Sequence, residues 1–182
     1  RLDIRQQGTL NANGHIGHCG ETLSLSVIAP ELSFGNFNIA QLSLFAFHHD
    51  NHFSLFAKAV KDMRNGRLQA ELTMKKAVDG RIATDIDWRE TQHDAFYGKV
   101  STVTRLMLPT RKSNGNTDEN FTVETEILPT TMSLNDSIWN FEHANINYAE
   151  GCIGIRNFGF RSGKQYMLVN GNYEQGATDP IV

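Results

Sequence analysis

Two groups of residues in this chain have the types and spacing that could do chemistry. His48-His49-Asp50-Asn51-His52, with His15, His18 and Cys19 upstream, offers the imidazole, thiol and carboxylate donors that zinc takes. A zinc site needs three or four of these converging on one point. Neighbours on an extended strand point to opposite faces, so His48 and His49 diverge, and Asp50-Asn51 reads as a hairpin turn. Gly17 and Gly20 mark His15-Ile16-Gly17-His18-Cys19-Gly20 as a turn too. Both stretches are expected to be solvated, without metal.

The second group is Asp85, Asp87 and Glu90, in Thr84-Asp85-Ile86-Asp87-Trp88-Arg89-Glu90, which has the look of glycosidase carboxylates. On a strand Asp85 and Asp87 share one face roughly 6–7 Å apart, a separation usable in glycoside hydrolysis. Alternation with Ile82, Ile86 and Trp88 puts both aspartates on the solvent side instead. The sequence has no Gly-x-Ser-x-Gly elbow and no Gly-rich phosphate loop leading a helix. No enzyme and no cofactor is expected. Asn120-Phe121-Thr122 is a glycosylation sequon, with meaning only in a eukaryotic secretory chain.

The elements around these residues are more telling. Thr22-Leu23-Ser24-Leu25-Ser26-Val27, Phe37-Asn38-Ile39-Ala40-Gln41-Leu42-Ser43-Leu44 and Arg67-Leu68-Gln69-Ala70-Glu71-Leu72-Thr73-Met74 alternate apolar with polar residues. A period of two puts the apolar side chains on one face of a strand. Asn13-Gly14, Asn65-Gly66, Asp79-Gly80, Asn114-Gly115 and Ser162-Gly163 punctuate the pattern as turns, the first four suiting type I′ hairpins. Strands are expected near 8–17, 22–28, 31–48, 52–63, 66–77, 80–90, 96–108, 119–128, 131–141, 143–148, 152–161 and 165–174. Phe53, Phe56, Ala57, Val60 and Met63 also fit a helical stripe, but the hairpin turns on either side favour a strand. Residues 110–120 form the one long polar stretch, an expected exposed loop.

Composition bounds the partners. The 182 residues suit one domain, and a net charge of −3 with scattered basic residues excludes an obvious nucleic-acid or anionic-membrane surface. Fifteen glycines against four prolines suit tight turns, and no apolar run is long enough for a membrane helix. Cys19 and Cys152 form no Cys-x-x-Cys and are expected to be two isolated thiols. The alternating start at Arg1-Leu2-Asp3-Ile4-Arg5 and the close on Thr178-Asp179-Pro180-Ile181-Val182 read as cuts through a longer repeating pattern.

About a dozen strands with one apolar face must close into a barrel, stack as a sandwich or curl around something apolar. Phe34, Phe37, Phe53, Trp88, Phe121, Trp139, Phe158 and Phe160 recur on the apolar side, and composition by itself favours an ordinary sandwich core.

The C-terminal run Ile153-Gly154-Ile155-Arg156-Asn157-Phe158-Gly159-Phe160-Arg161-Ser162-Gly163-Lys164-Gln165-Tyr166-Met167-Leu168-Val169-Asn170-Gly171 resembles a unit of the TamB-type translocation and assembly module proteins. The likeness is to their Bacteroidetes branch, within the AsmA-like group. A strand ending in Asn-Phe-x-Phe turns at Ser-Gly, and a Gln-led strand follows. Gly8-Thr9-Leu10-Asn11-Ala12-Asn13-Gly14 and Pro129-Thr130-Thr131-Met132-Ser133-Leu134-Asn135-Asp136-Ser137-Ile138-Trp139 have the same look. The resemblance implies an internal fragment of a long β half-pipe, periplasmic, in a parent chain anchored in the inner membrane of a Gram-negative bacterium. It implies phospholipid acyl chains as cargo, and an outer-membrane barrel assembly protein as a partner of parts of the parent chain beyond this segment.

The expected fold is therefore all-β, mainly antiparallel, one domain over residues 1–182, curled into a taco-like half-pipe or roll. Its apolar lining is Leu23, Leu25, Val27, Phe37, Ile39, Leu42, Leu44, Leu68, Leu72, Met74, Ile82, Ile86, Trp88, Val100, Val123, Ile127, Ile153, Ile155, Met167 and Val169. The rival expectation is a closed β-sandwich of a cell-surface protein, binding glycan or protein through exposed aromatics or the Asp85/Asp87 face.

Overall fold

The structure, a computed structural model, describes residues 4–7, 11–17, 22–34, 37–50, 52–63, 66–77, 79–92, 95–108 and 121–174. Among them the chain forms strands and turns and no helix. The strands are β1 (Ile4–Gln7), β2 (Asn11–Ile16), β3 (Thr22–Ala29), β4 (Glu31–Phe34), β5 (Phe37–Ile39), β6 (Gln41–His49), β7 (His52–Met63) and β8 (Gly66–Lys76). They continue as β9 (Ile82–Glu90), β10 (Phe96–Met107), β11 (Thr122–Ile127), β12 (Thr130–Leu134), β13 (Ser137–Phe141), β14 (Ala144–Ala149), β15 (Cys152–Ser162) and β16 (Gln165–Glu174).

All pairings are antiparallel, and the path is a meander. β2, β3, β6, β7, β8, β9 and β10 lie side by side in chain order. β10 then pairs with both β11 and β12, and β15 with both β13 and β14 before β16 closes the series. The register of β11 with β14 continues unbroken into that of β12 with β13, so β11 and β12 form one long strand interrupted midway, and β13 and β14 form another. The register of β3 with β6 likewise continues into that of β4 with β5.

The interruptions have a chemical cause. Proline has no N–H for the ladder, so a central strand admits it only at a break. Pro30 stands between β3 and β4, and Leu128-Pro129 between β11 and β12. There the register on β10 slips by one residue, while the Leu128 N–H still donates to the Ser101 carbonyl at 2.9 Å. Glu142-His143 separates β13 from β14, and β15 bulges between Ile155 and Phe158, with Asn157 at φ 56°. Neighbouring bulges at similar height bend and twist a sheet. The core packs beside them. Ile127, Met132, Phe141 and Ala144 are buried there, and Phe141, Phe158 and Phe160 meet edge to face with centroids 4.8 to 5.2 Å apart.

Several expected boundaries need correction. Residues 31–48 are not one strand: the chain reverses between β4 and β5, pairing Phe34 with Phe37. Residues 131–141 are likewise a hairpin, because Asn135 (φ 51°) and Asp136 (φ 60°) form a type I′-like turn between β12 and β13. Asn13-Gly14 is no turn and lies inside β2, opposite Ser26 and Leu25. Gly80 (φ 83°) and Gly163 (φ 56°) do sit in turns, and residues 52–63 are a strand despite their helical stripe. The 110–120 loop, Asn114-Gly115, Asn65, His18 and Cys19 lie outside the described residues, while Cys152 is a free thiol.

Candidate functional site

Cross-strand partners share a face, so the registers sort every side chain of the sheet. One row runs Val27, Leu44, Ala57, Leu72, Ile86, Val100 across six consecutive strands of the meander, apolar throughout. The next toward one strand end is Leu25, Ala46, Leu55, Met74, Thr84, Thr102, Ile127, Ala144. Leu23 extends the same face beyond that row, while Leu42 and Trp88 share a row toward the other end, with Leu68 beyond it. Ile82 pairs with Thr104, Thr104 with Thr125, Thr125 with Ile146 and Ile146 with Ile155. Val123 and Ile153 both oppose Tyr148, and Met167 and Val169 oppose Phe160 and Phe158. Ile39 pairs with Leu32 in the extension formed by β1, β4 and β5, and the Phe37 side chain lies outside the described residues.

The face is not uniform. Beside the bulges it is sealed, with Ile127 at 8 % and Phe141 at 5 % exposure. Across the N-terminal strands it is open, with Leu25 at 38 % and Ile86 at 40 %. Thr84, Thr102, Thr104 and Thr125 interrupt the apolar rows, and the Thr104 and Thr125 hydroxyls bond each other at 3.1 Å. Trp88 and Trp139 are half-buried on this face against the core, so neither ring forms an exposed platform.

Sequence reasoning missed Met132, Phe141 and Ala144, the most buried apolar residues of the C-terminal half. Each bulge adds one residue and switches which parity faces inward, so uniform alternation loses them. Pro129 and Asn135-Asp136 were the signals that could have located the switch.

The candidate reactive groups are dispersed. Asp85 and Asp87 lie on the polar face, whereas Glu90 opposes Leu68 on the apolar one. Asp85 accepts from Ser101 Oγ at 2.5 Å and pairs with Lys99 at 3.4 Å. The Ser101 hydrogen bond, helped by Lys99, holds its carboxyl below the usual carboxylate value. His48 opposes Leu23 and Phe53 on the apolar face. His49 points the other way, with Nδ1 3.0 Å from Thr22 Oγ1 and Nε2 3.5 Å from Asp50. Among the described residues no three His, Cys, Asp or Glu side chains converge as metal donors.

Comparison with protein-family models, with curated proteins and with solved structures finds no match to this chain. The sheet and its two faces therefore carry the functional argument.

Proposed function

We propose that this chain is a non-catalytic segment of a cell-envelope protein, whose apolar sheet face carries phospholipid acyl chains between membranes. The reading joins the resemblance to TamB-type proteins with one observation: the row from Val27 to Val100, apolar over six strands and open to solvent at Ile86. A 16-carbon chain meeting water costs about 12 kcal/mol at ~0.8 kcal/mol per CH₂. A curled apolar face offsets much of that without any catalytic residue. Support for outer-membrane protein assembly belongs to the same reading, through parts of the parent chain beyond this segment. The rival, a closed sandwich, needs a second apolar layer over Leu25 and Ile86, and their exposure favours the open trough.

Photocrosslinking residues at Leu72 and Ile86 test this in the full-length parent protein in intact cells. Phospholipid capture there is expected to exceed that at Glu71 and Asp87, their immediate neighbours on the polar face. Equal capture on both faces overturns the reading.

A further inference from the structure

The polar face holds a feature that a solvated sheet surface has no use for. An open hollow of 680 Å³ spans β2, β3, β6, β7 and β8, within the roughly 300–1,000 Å³ of small-molecule sites. Phe45 and Phe56 oppose each other across β6 and β7, and Phe47 lies two residues along from Phe45 on the same face. Their cross-strand neighbours are small: Ser26 beside Phe45, Ser24 and Ser54 on either side of Phe47. Small residues flanking large rings leave the space that makes the hollow. Phe45 is 44 % and Phe47 47 % exposed, so both rings present bare hydrocarbon to water.

Among the described residues, the lining includes one formally charged side chain, Lys75, and no carboxylate. Asp85 on β9 feels the Lys75 charge but is already bonded to Ser101 and Lys99. One ammonium with rotatable donors suits a monoanion, and the described lining residues include no guanidinium fork of the kind that grips phosphate. Phenyl rings have no polar tip, so the body laid on them is hydrocarbon.

We propose that this hollow is a second lipid site, taking a single-chain fatty acid with its alkyl chain over Phe45, Phe47 and Phe56 and its carboxylate at Lys75. It stands on the face opposite Leu72 and Ile86, and so does not depend on the trough carrying lipid.

Titration of the whole 182-residue chain with dodecanoate and with dodecanol, followed by calorimetry, tests it. Dodecanoate is expected to bind about tenfold more tightly than dodecanol, and Lys75→Gln to abolish that preference. Phe45→Ser and Phe47→Ser are expected to weaken both ligands about tenfold, because each removes a ring from the floor. Lys75 is exposed, so Lys75→Gln keeps the test valid even if a Phe variant fails to fold. A diazirine fatty acid is expected to label Phe45, Phe47 or Ser54. Equal affinity for acid and alcohol, indifference to both Phe variants, or labelling confined to the Leu72 and Ile86 face would each overturn the proposal.

Discussion

The indole of Trp88 covers the backbone of Gly98, its cross-strand partner on β10. A Cβ at residue 98 would overlap the ring and stand 2.7 Å from Met132 Cβ. The enclosure is tight enough that Trp88 Nε1 is buried, with no hydrogen-bond partner among the described residues. Glycine weakens a strand, but here it admits an aromatic ring that joins β9 to the core. Gly98→Ala is expected to cost about 1–3 kcal/mol by overpacking, read as a lower urea midpoint. Adding Trp88→Leu should recover part of that loss, with Met132 still crowding the site. An unchanged midpoint in Gly98→Ala would mean the indole does not lie there.

The phenylalanine cluster should dominate the stability of the C-terminal half. Phe141 is 5 % exposed and touches both Phe158 and Phe160. Phe141→Ala should cost about 3–5 kcal/mol, a large part of a typical folding free energy. Urea unfolding measures it, and a cost under about 1 kcal/mol would mean the cluster is not closed around this ring.

Charges placed on the apolar face should divide by position. Ile86 is 40 % exposed, so the guanidinium of Ile86→Arg can reach water, and a cost near 1 kcal/mol is expected. Ala144 is 0 % exposed, and Ala144→Glu should unfold the chain, because an unpaired buried charge costs several kcal/mol. Circular dichroism of both variants decides the point. Equal unfolding would mean that Ile86 sits in a sealed core.

The hairpin between β12 and β13 places Asp136 at φ 60°, where a Cβ is unfavourable. Asp136→Gly is expected to raise stability by about 0.5–1 kcal/mol, and Asn135→Val to lower it by about 1–2 kcal/mol. Thermal unfolding of the two variants should shift in opposite directions. A shift of the same sign in both would refute the turn geometry.

Asp85 gives the chain an acid-sensitive contribution. Its folded-state pKa is depressed below the ordinary value of 3.8, first by the Ser101 hydroxyl and then by Lys99. A depressed carboxylate stabilises the fold above 3.8 and loses that contribution as pH falls through its folded pKa. Asp85→Asn should therefore be less stable than the parent at neutral pH and converge with it at strong acid. Ser101→Ala should show a weaker form of the same profile. A stability gap independent of pH would remove the carboxylate from the account.

Strand periodicity was legible in the sequence because cross-strand pairing preserves it: Leu72, Ile86 and Val100 alternate locally and meet in space for the same reason. The separation of His48 from His49 followed from the same period, while the pairing of β8 with β9 placed Glu90 on the face opposite Asp85. Hairpins whose turn residues sit inside apolar runs were not legible. Asn135-Asp136 looks like two polar positions of one strand until β12 and β13 are seen to pair. Tertiary structure also decided where alternation changes phase, because a bulge relieves a proline or a bend that only the neighbouring strands impose. Phe141 and Ala144 belong to the core for that reason. Register also makes the hollow around Phe45, Phe47 and Phe56, where serines of β3 and β7 stand beside the rings. Local sequence sets the faces of each strand, and the register between strands sets what those faces enclose.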